Sequence, residues 1–84
     1  MKRNKKEAHR AELEKAIRIF GSQQLLCEAI NTYIAANKLN SKTIVQQNIS
    51  NWLHRDRKIP RDYPPVIEAI TNGVICAAIL RGDG

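Results

Sequence analysis

The stretch LEKAIRIFGSQQLLCEAINTYI, residues 13–34, decides the fold class. Its apolar residues recur every three or four positions, which is the spacing of one helix face. They are Leu13, Ala16, Ile17, Phe20, Leu26, Ala29, Ile30, Tyr33 and Ile34. Gly21 interrupts the series as a helix C-terminal residue does, and Ser22 after it is a good N-cap. The pattern predicts two successive helices, from Glu7 to Phe20 and from Ser22 to Ile34.

The rest of the chain also reads as helical. Polar, turn-favouring residues from Asn37 to Thr43 predict a loop, and VQQNISNWLH, residues 45–54, predicts a third helix. The inner side of that helix is expected to be Ile49, Trp52 and Leu53. A fourth helix should start at Pro64 and Pro65 and end at Gly73. The apolar run 74–80 favours a short last helix and leaves a strand at its start open. We expect an all-α bundle of four to five helices.

Length and composition favour a binding module over an enzyme. The chain has 84 residues, a hydrophobic fraction of 43% and a formal net charge of +6. This length allows one domain and little room for a catalytic pocket beside its core. No apolar run approaches a membrane span, and the basic start lacks the apolar stretch of a secretory signal. Cys27 and Cys76 lack metal-ligand or disulfide-framework spacing, so we expect buried thiols in a reducing cytoplasm, with no metal and no cofactor.

The basic residues fall into two segments. One is residues 1–10, which we expect to be a basic, flexible N-terminal arm ahead of a single domain, residues 11–84. The other is residues 54–61, at the end of the third helix and after it. The cationic side chains of the two segments are Lys2, Arg3, Lys5, Lys6, Arg10, Arg55, Arg57, Lys58 and Arg61. Two basic patches on a nearly neutral body predict contact with a polyanion. The alternative for the first segment is a solvated start without a partner.

The outer side of the third helix is rich in amides and hydroxyls. Its members are Gln46, Gln47, Ser50, Asn51 and His54. Amide side chains both donate and accept hydrogen bonds, and Gln or Asn can pair with adenine N6 and N7 in the major groove. Arg55, Arg57 and Lys58 follow directly and are suited to the flanking phosphates. The alternative is a merely polar face turned to solvent.

Four signatures occur in a fixed order along residues 13–81. They are Phe20-Gly21-Ser22-Gln23, Trp52-Leu53, the basic stretch from Arg55 to Ile59-Pro60, and Ile67-Glu68-Ala69-Ile70-Thr71-Asn72-Gly73. In this order they resemble the helix-turn-helix of Cro-type phage repressors, particularly the YdaS-like branch. The resemblance implies a lambda-repressor-like helix-turn-helix that binds double-stranded DNA.

The resemblance also implies roles for individual residues. Gln23 would hold a phosphate at the start of the first helix of the motif. The base-reading residues would be Gln46, Gln47, Ser50 and Asn51. The backbone contacts beyond the recognition helix would come from Arg55, Arg57 and Lys58. Asn48 would face either a phosphate or the solvent.

The chain departs from the family pattern in the turn of the motif. About a dozen extra residues separate Ile30 from Ile44, so we expect a lengthened preceding helix and an enlarged turn at residues 38–43. Lys38 and Lys42 would be either phosphate contacts or plain loop charges. Val45 stands where a Ser or Thr N-cap is usual, so Thr43 is the expected cap.

Proteins with this motif bind mostly as two-fold dimers, with recognition helices about 34 Å apart in successive major grooves. The candidate dimer contacts are Val74, Ile75, Ile79 and Leu80. The alternative is that these side chains cover the core of one subunit.

The sequence therefore predicts a sequence-specific regulator, a Cro-type repressor of phage or prophage origin that occupies a palindromic operator as a homodimer. Its expected location is the cytoplasm of a bacterial or phage-infected cell, in association with the nucleoid. Two alternatives remain open. One is a small basic RNA-binding or ribosome-associated protein, and the other is an antitoxin-like autoregulatory module whose C-terminal apolar tail binds a partner protein.

Overall fold

The computed structural model describes residues 5–54 and 59–80. Within these ranges it contains five α-helices and no strand. The helices are α1 (Lys5–Phe20), α2 (Gln23–Ala36), α3 (Gln46–His54), α4 (Tyr63–Ile70) and α5 (Ala77–Leu80). The all-α prediction is confirmed, and the apolar run 74–80 ends in a helix of four residues.

The corner between α1 and α2 forms as the sequence predicts. Gly21 has φ +107°, a left-handed conformation that favours glycine, and its N–H donates to the Ile17 carbonyl over 2.8 Å. The Ser22 hydroxyl oxygen accepts from the Leu25 N–H at 3.1 Å and caps α2. α1 starts at Lys5, so residues 5–10 of the basic segment belong to a helix.

A single aliphatic core joins the helices. α1 packs against α2, α3 and α5, α2 packs against α3 and α4, and α4 packs against α5. The core residues that are fully buried are Leu13, Ala16, Leu26, Ile30, Ile49, Ile67 and Ile75. These side chains come from α1 to α4 and from the turn before α5, so the helix faces predicted from apolar spacing meet in one interior.

Lys38 ends α2 in a left-handed conformation with φ +52°. Its N–H donates to the Ala35 carbonyl at 3.3 Å, and the Leu39 N–H donates to the Ile34 carbonyl at 3.1 Å. This pair of bonds is a Schellman motif, in which glycine usually takes the left-handed position. The long turn predicted between the second and third helices therefore begins with a backbone reversal built on a lysine.

α4 begins and ends by similar rules. Pro64 and Pro65 lie in its first turn, where a helix leaves its amides without intrahelical acceptors. At the other end Asn72 has φ +54°, and the Gly73 N–H donates to the Glu68 carbonyl over 2.9 Å. Gly73, where the helix was predicted to end, has φ +83°, so the left-handed reversal takes in both Asn72 and Gly73.

Two carboxylates from other helices hold the start of α5. Glu12 Oε2 accepts from the Cys76 N–H at 2.8 Å, and Glu68 Oε1 accepts from the Ala77 N–H at 2.9 Å. These N–H groups have no intrahelical acceptor, so the carboxylates act as caps from α1 and α4. They fix the short helix against the bundle.

The burial of residues 74–80 bears on the two predictions made for their apolar side chains. Ile75 and Leu80 are 0% and 1% exposed and belong to the core of one subunit. For these two residues the burial favours the alternative, that they cover the core of one subunit, because contact with a second chain requires accessible surface. Ile79 is half-buried and Val74 is 55% exposed, so these two remain on the surface.

Candidate nucleic-acid interface

The loop before α3 is held by a side chain of α2. Asn31 Nδ2 donates to the Ile44 carbonyl at 2.8 Å, and the Ile44 N–H donates to Asn31 Oδ1 at 2.8 Å. One amide thus satisfies both backbone groups of Ile44, as a neighbouring strand would. The Cys27 thiol adds a contact of 3.2 Å to the same carbonyl, and the Ile44 side chain is buried.

A second tie holds the same loop two residues earlier. The Tyr63 hydroxyl of α4 donates to the Lys42 carbonyl at 2.6 Å. Burial raises the pKa of Tyr63 above its ordinary value, and the nearby Asp62 carboxylate raises it further. The phenol therefore stays protonated as a donor over the neutral range. Together the hydrogen bonds to Lys42 and Ile44 fix the direction in which the backbone of the enlarged turn enters α3.

The start of α3 differs from the expected one. Thr43 was predicted to cap the helix, but the helix begins at Gln46 and Val45 takes the position before it. Asn48 Oδ1 accepts from the Val45 N–H at 2.9 Å, as the third residue of a capping box does. The cap therefore comes from inside the helix, and Asn48, which was expected to face phosphate or solvent, is engaged in it.

The inner side of α3 is the predicted one. Ile49, Trp52 and Leu53 are all buried. The ring of Trp52 lies 5.5 Å from that of Tyr63, centroid to centroid, with the two planes tilted by 38°. This contact is of the kind that aromatic pairs favour. The tryptophan therefore belongs to the core and offers no stacking surface.

The outer side of α3 carries the predicted amides at two levels of exposure. Gln46 and Gln47 are exposed, whereas Ser50 and Asn51 are half-buried. Gln47 Nε2 donates to Asn51 Oδ1 at 3.0 Å in an exposed bond along the helix. The bond links two of the four predicted base-reading residues and limits the rotamers of both.

Side chains of α1 hold the last turn of α3. Arg10 Nε donates to the Leu53 carbonyl at 3.1 Å, and His9 Nε2 lies 3.4 Å from the Trp52 carbonyl. His9 Nδ1 lies 2.8 Å from the Leu80 carbonyl of α5. A cation at the C-terminus of a helix complements its dipole. Two residues of the basic N-terminal segment therefore act in positioning α3.

Of the other predicted phosphate contacts, some lie within residues 5–54 and 59–80 and the rest lie outside these ranges. Gln23 is the first residue of α2 and is half-buried. Lys38 and Lys42 are exposed on the long turn. Arg55, Arg57 and Lys58, which were predicted to contact phosphates beyond α3, lie outside the described residues, so that assignment stays a prediction.

No cofactor or metal site is suggested by the titratable residues of the described part of the chain. No group of three or more His, Cys, Asp or Glu within residues 5–54 and 59–80 could hold a metal ion.

Burial raises the pKa of the Cys27 thiol and the Glu28 carboxylate adds to the shift, while the hydrogen bond from Asn31 opposes it. Among the helices of these ranges, none is both long and apolar enough for a bilayer crossing.

The contacts of Asn31, Asn48, Arg10 and Tyr63 were not predicted from the sequence. A capping box places a reaching side chain three residues after the cap, so Asn48 could have been found from its distance to Val45. The other three side chains meet backbone atoms between 13 and 43 residues away along the chain. Helical periodicity carries no signal for such partners.

Comparisons with known proteins give no family for this chain. No family model matches it, and neither a curated protein nor a solved structure is significantly similar to it. The resemblance to Cro-type repressors therefore rests on the motifs of the sequence.

Proposed function

We propose that this protein is a sequence-specific regulator that binds double-stranded DNA, a Cro-type repressor that acts by occupying an operator. The observation that carries the proposal is the division of α3 into two sides. Its aliphatic and aromatic residues are buried, while Gln46 and Gln47 are exposed and Ser50 and Asn51 lie beside them at the surface. A helix held in this way on a basic protein fits the major groove.

The linked pair of Gln47 and Asn51 suits base reading. Their mutual hydrogen bond uses the amide nitrogen of Gln47 and the amide oxygen of Asn51. The pair retains Gln47 Oε1 as an acceptor and Asn51 Nδ2 as a donor. Adenine presents the complementary donor N6 and acceptor N7 in the major groove. We infer that the two residues read one base together, with less side-chain entropy to lose than separate amides would have.

The held loop supports the same function. Direct readout needs a recognition helix whose position is fixed to within a fraction of an ångström. The ties from Asn31 to Ile44, from Tyr63 to Lys42 and from Arg10 to Leu53 fix both ends of α3. In this proposal the enlarged turn is a rigid support for the helix.

The remaining parts of the proposal follow from the motif. Arg55, Arg57, Lys58 and Gln23 would hold phosphates, and the operator would be palindromic because a homodimer places two copies of α3 in successive grooves. Val74 and Ile79 are the candidate dimer contacts left at the surface. The regulator would work in the cytoplasm of a bacterial or phage-infected cell, on the nucleoid.

The two alternatives have less support. Compact RNA-binding modules stack bases on exposed aromatic rings. Here Trp52 and Tyr63 are buried, and Phe20 and Tyr33 are packed against the core. An antitoxin-like module would use the C-terminal apolar tail for a partner protein, but Ile75 and Leu80 are inside the bundle.

Selection of bound duplexes from a random DNA pool tests the proposal. We expect enrichment of a palindrome whose half-sites lie about one helical turn apart, bound by two copies of the chain. The same pool transcribed as RNA serves as the control and should give no enriched sequence. Failure of any duplex to enrich, or stronger enrichment from the RNA pool, would contradict the proposal.

A further inference from the structure

Val45 is an apolar side chain held at the surface where the reading side of α3 begins. It is 64% exposed, the most exposed of the large hydrophobic residues within the described part of the chain. It directly precedes Gln46, the first of the predicted base-reading residues. An isolated surface valine needs no explanation in itself. The way in which the backbone holds this one is what distinguishes it.

The backbone on both sides of Val45 is fixed. Asn31 satisfies the N–H and the carbonyl of Ile44, and the Ile44 side chain is buried. The Val45 N–H donates to Asn48 Oδ1 at 2.9 Å, and its carbonyl accepts from the Asn48 N–H at 2.9 Å. Ile44 anchors the chain inside, and the valine is held outward with little freedom to fold back into the core.

The edges of the bases in the major groove offer one apolar group, the C5-methyl of thymine. Amides read the polar atoms beside it, and a branched aliphatic side chain at the N-terminal end of the same helix fits the methyl. We propose that Val45 is a specificity-determining residue that contacts a thymine methyl group in each half-site. This inference rests on the proposed DNA-binding function, in which the first residues of α3 enter the groove.

Replacing thymine by deoxyuridine removes the methyl group and leaves the hydrogen-bonding groups in place. The probe is the palindromic duplex enriched from the random pool, and its thymines are replaced one symmetric pair at a time. Wild-type protein should lose about fourfold in affinity per half-site at one pair, the effect expected of one buried methyl group. At that pair the Val45→Ala variant, which lacks the two γ-methyl groups that would reach the base, should lose less than about twofold in affinity on replacement of thymine by deoxyuridine.

Ile19→Ala is the matched control, because Ile19 is also an exposed β-branched aliphatic residue, at 47%, and lies in α1. It should keep the full loss at the same base pair, whatever it does to affinity in general. Circular dichroism of each variant checks that the helices form.

The outcomes separate the inference from the function on which it rests. Enrichment of a palindrome whose affinity is indifferent to every deoxyuridine replacement overturns the role of Val45 and leaves the DNA-binding function intact. The role of Val45 is equally overturned if Val45→Ala retains the loss of affinity at the same pair. No enriched duplex at all overturns the proposed function, and the inference falls with it.

Discussion

Asn31 shows how much one side chain contributes to this fold. A buried residue at the end of a loop must find partners for its N–H and its carbonyl, and Ile44 finds both in one amide. Each buried backbone group left without a partner costs about 1–3 kcal/mol. Since this loop leads into α3, the same amide also determines where that helix starts.

Replacing Asn31 by Leu should therefore lower the free energy of unfolding by about 1–3 kcal/mol, because the Ile44 N–H loses its partner and the Ile44 carbonyl keeps only the contact from the Cys27 thiol. Urea unfolding followed by the fluorescence of Trp52, the single tryptophan, measures the change. Asn40→Ala removes an exposed amide from the same loop and should change stability by less than about 0.5 kcal/mol. Equal effects of the two substitutions would show that the hydrogen bonds between Asn31 and Ile44 do not contribute to the free energy of unfolding.

The Tyr63 phenol makes the free energy of unfolding depend on pH in the alkaline range. Its folded pKa lies above the unfolded value of 10.0, because burial and Asp62 disfavour the phenolate. The stability that it contributes is complete below that unfolded pKa and is lost as the pH rises through the folded pKa. We expect the unfolding free energy of wild-type protein to fall more steeply above pH 10.0 than that of Tyr63→Phe.

At neutral pH the Tyr63→Phe variant should be less stable by about 1 kcal/mol, since it lacks the bond to the Lys42 carbonyl. Chemical unfolding of the two proteins at a series of pH values measures both differences. Parallel curves would mean that the hydroxyl is not held as a buried donor.

At the scale of the helices, the end of α2 carries the clearest conflict between residue type and conformation. Lysine takes a left-handed position at residue 38 that costs an L-residue with a side chain about 1–2 kcal/mol. The Schellman bonds around it offset that cost, since they satisfy the last carbonyls of the helix. The enlarged turn thus begins with a strained residue and ends at a well-held one.

Lys38→Gly should raise the free energy of unfolding by about 0.5–1 kcal/mol, because glycine adopts the left-handed conformation without a steric cost. Lys42→Gly is the matched control, a loss of the same charge in the same turn at a residue whose φ is not positive. It should lower stability slightly through added freedom of the unfolded chain. Thermal unfolding of both variants measures these changes. A Lys38→Gly protein that is less stable than wild-type protein would contradict the left-handed conformation of residue 38.

The helices could be predicted from the sequence, whereas the side-chain hydrogen bonds that hold them to one another could not. Apolar spacing and the Gly21-Ser22 pair place α1 and α2, and Ile49, Trp52 and Leu53 give the inner side of α3 correctly. These features are local. The position of Lys38 was hidden because Asn and Gly are the usual left-handed residues, and the contacts of His9 and Arg10 with distant carbonyls leave no periodic trace.

At the scale of the whole molecule, the net charge and the amides of α3 would have separate roles in the proposed complex with DNA. The formal net charge of +6 favours any duplex, whereas the amides of α3 would distinguish one sequence from another. Arg10 is already engaged with the Leu53 carbonyl. The proposed phosphate contacts therefore depend on the basic residues after α3, which are Arg55, Arg57 and Lys58.

Replacing Arg55 and Lys58 by Ala should weaken binding to all duplexes alike. It should also reduce the slope of log affinity against log salt by about 0.9 for each phosphate that the protein no longer neutralises. Titrations at several salt concentrations, with specific and scrambled duplexes, measure both. A slope equal to that of wild-type protein would remove the segment after α3 from the interface.

The central claim is that the outer side of α3 reads bases, and the ratio of affinities for the enriched and a scrambled duplex at one salt concentration tests it most directly. The claim predicts that Gln47→Ala and Asn51→Ala each lower the preference by about 1–3 kcal/mol for each base that is no longer read. Because the two amides are linked, the double variant should lose less than the sum of the single losses. Asn37→Ala, an exposed amide at the end of α2, should keep the full preference. Equal losses on the enriched and the scrambled duplex would contradict the claim, because residues that read sequence must change the ratio.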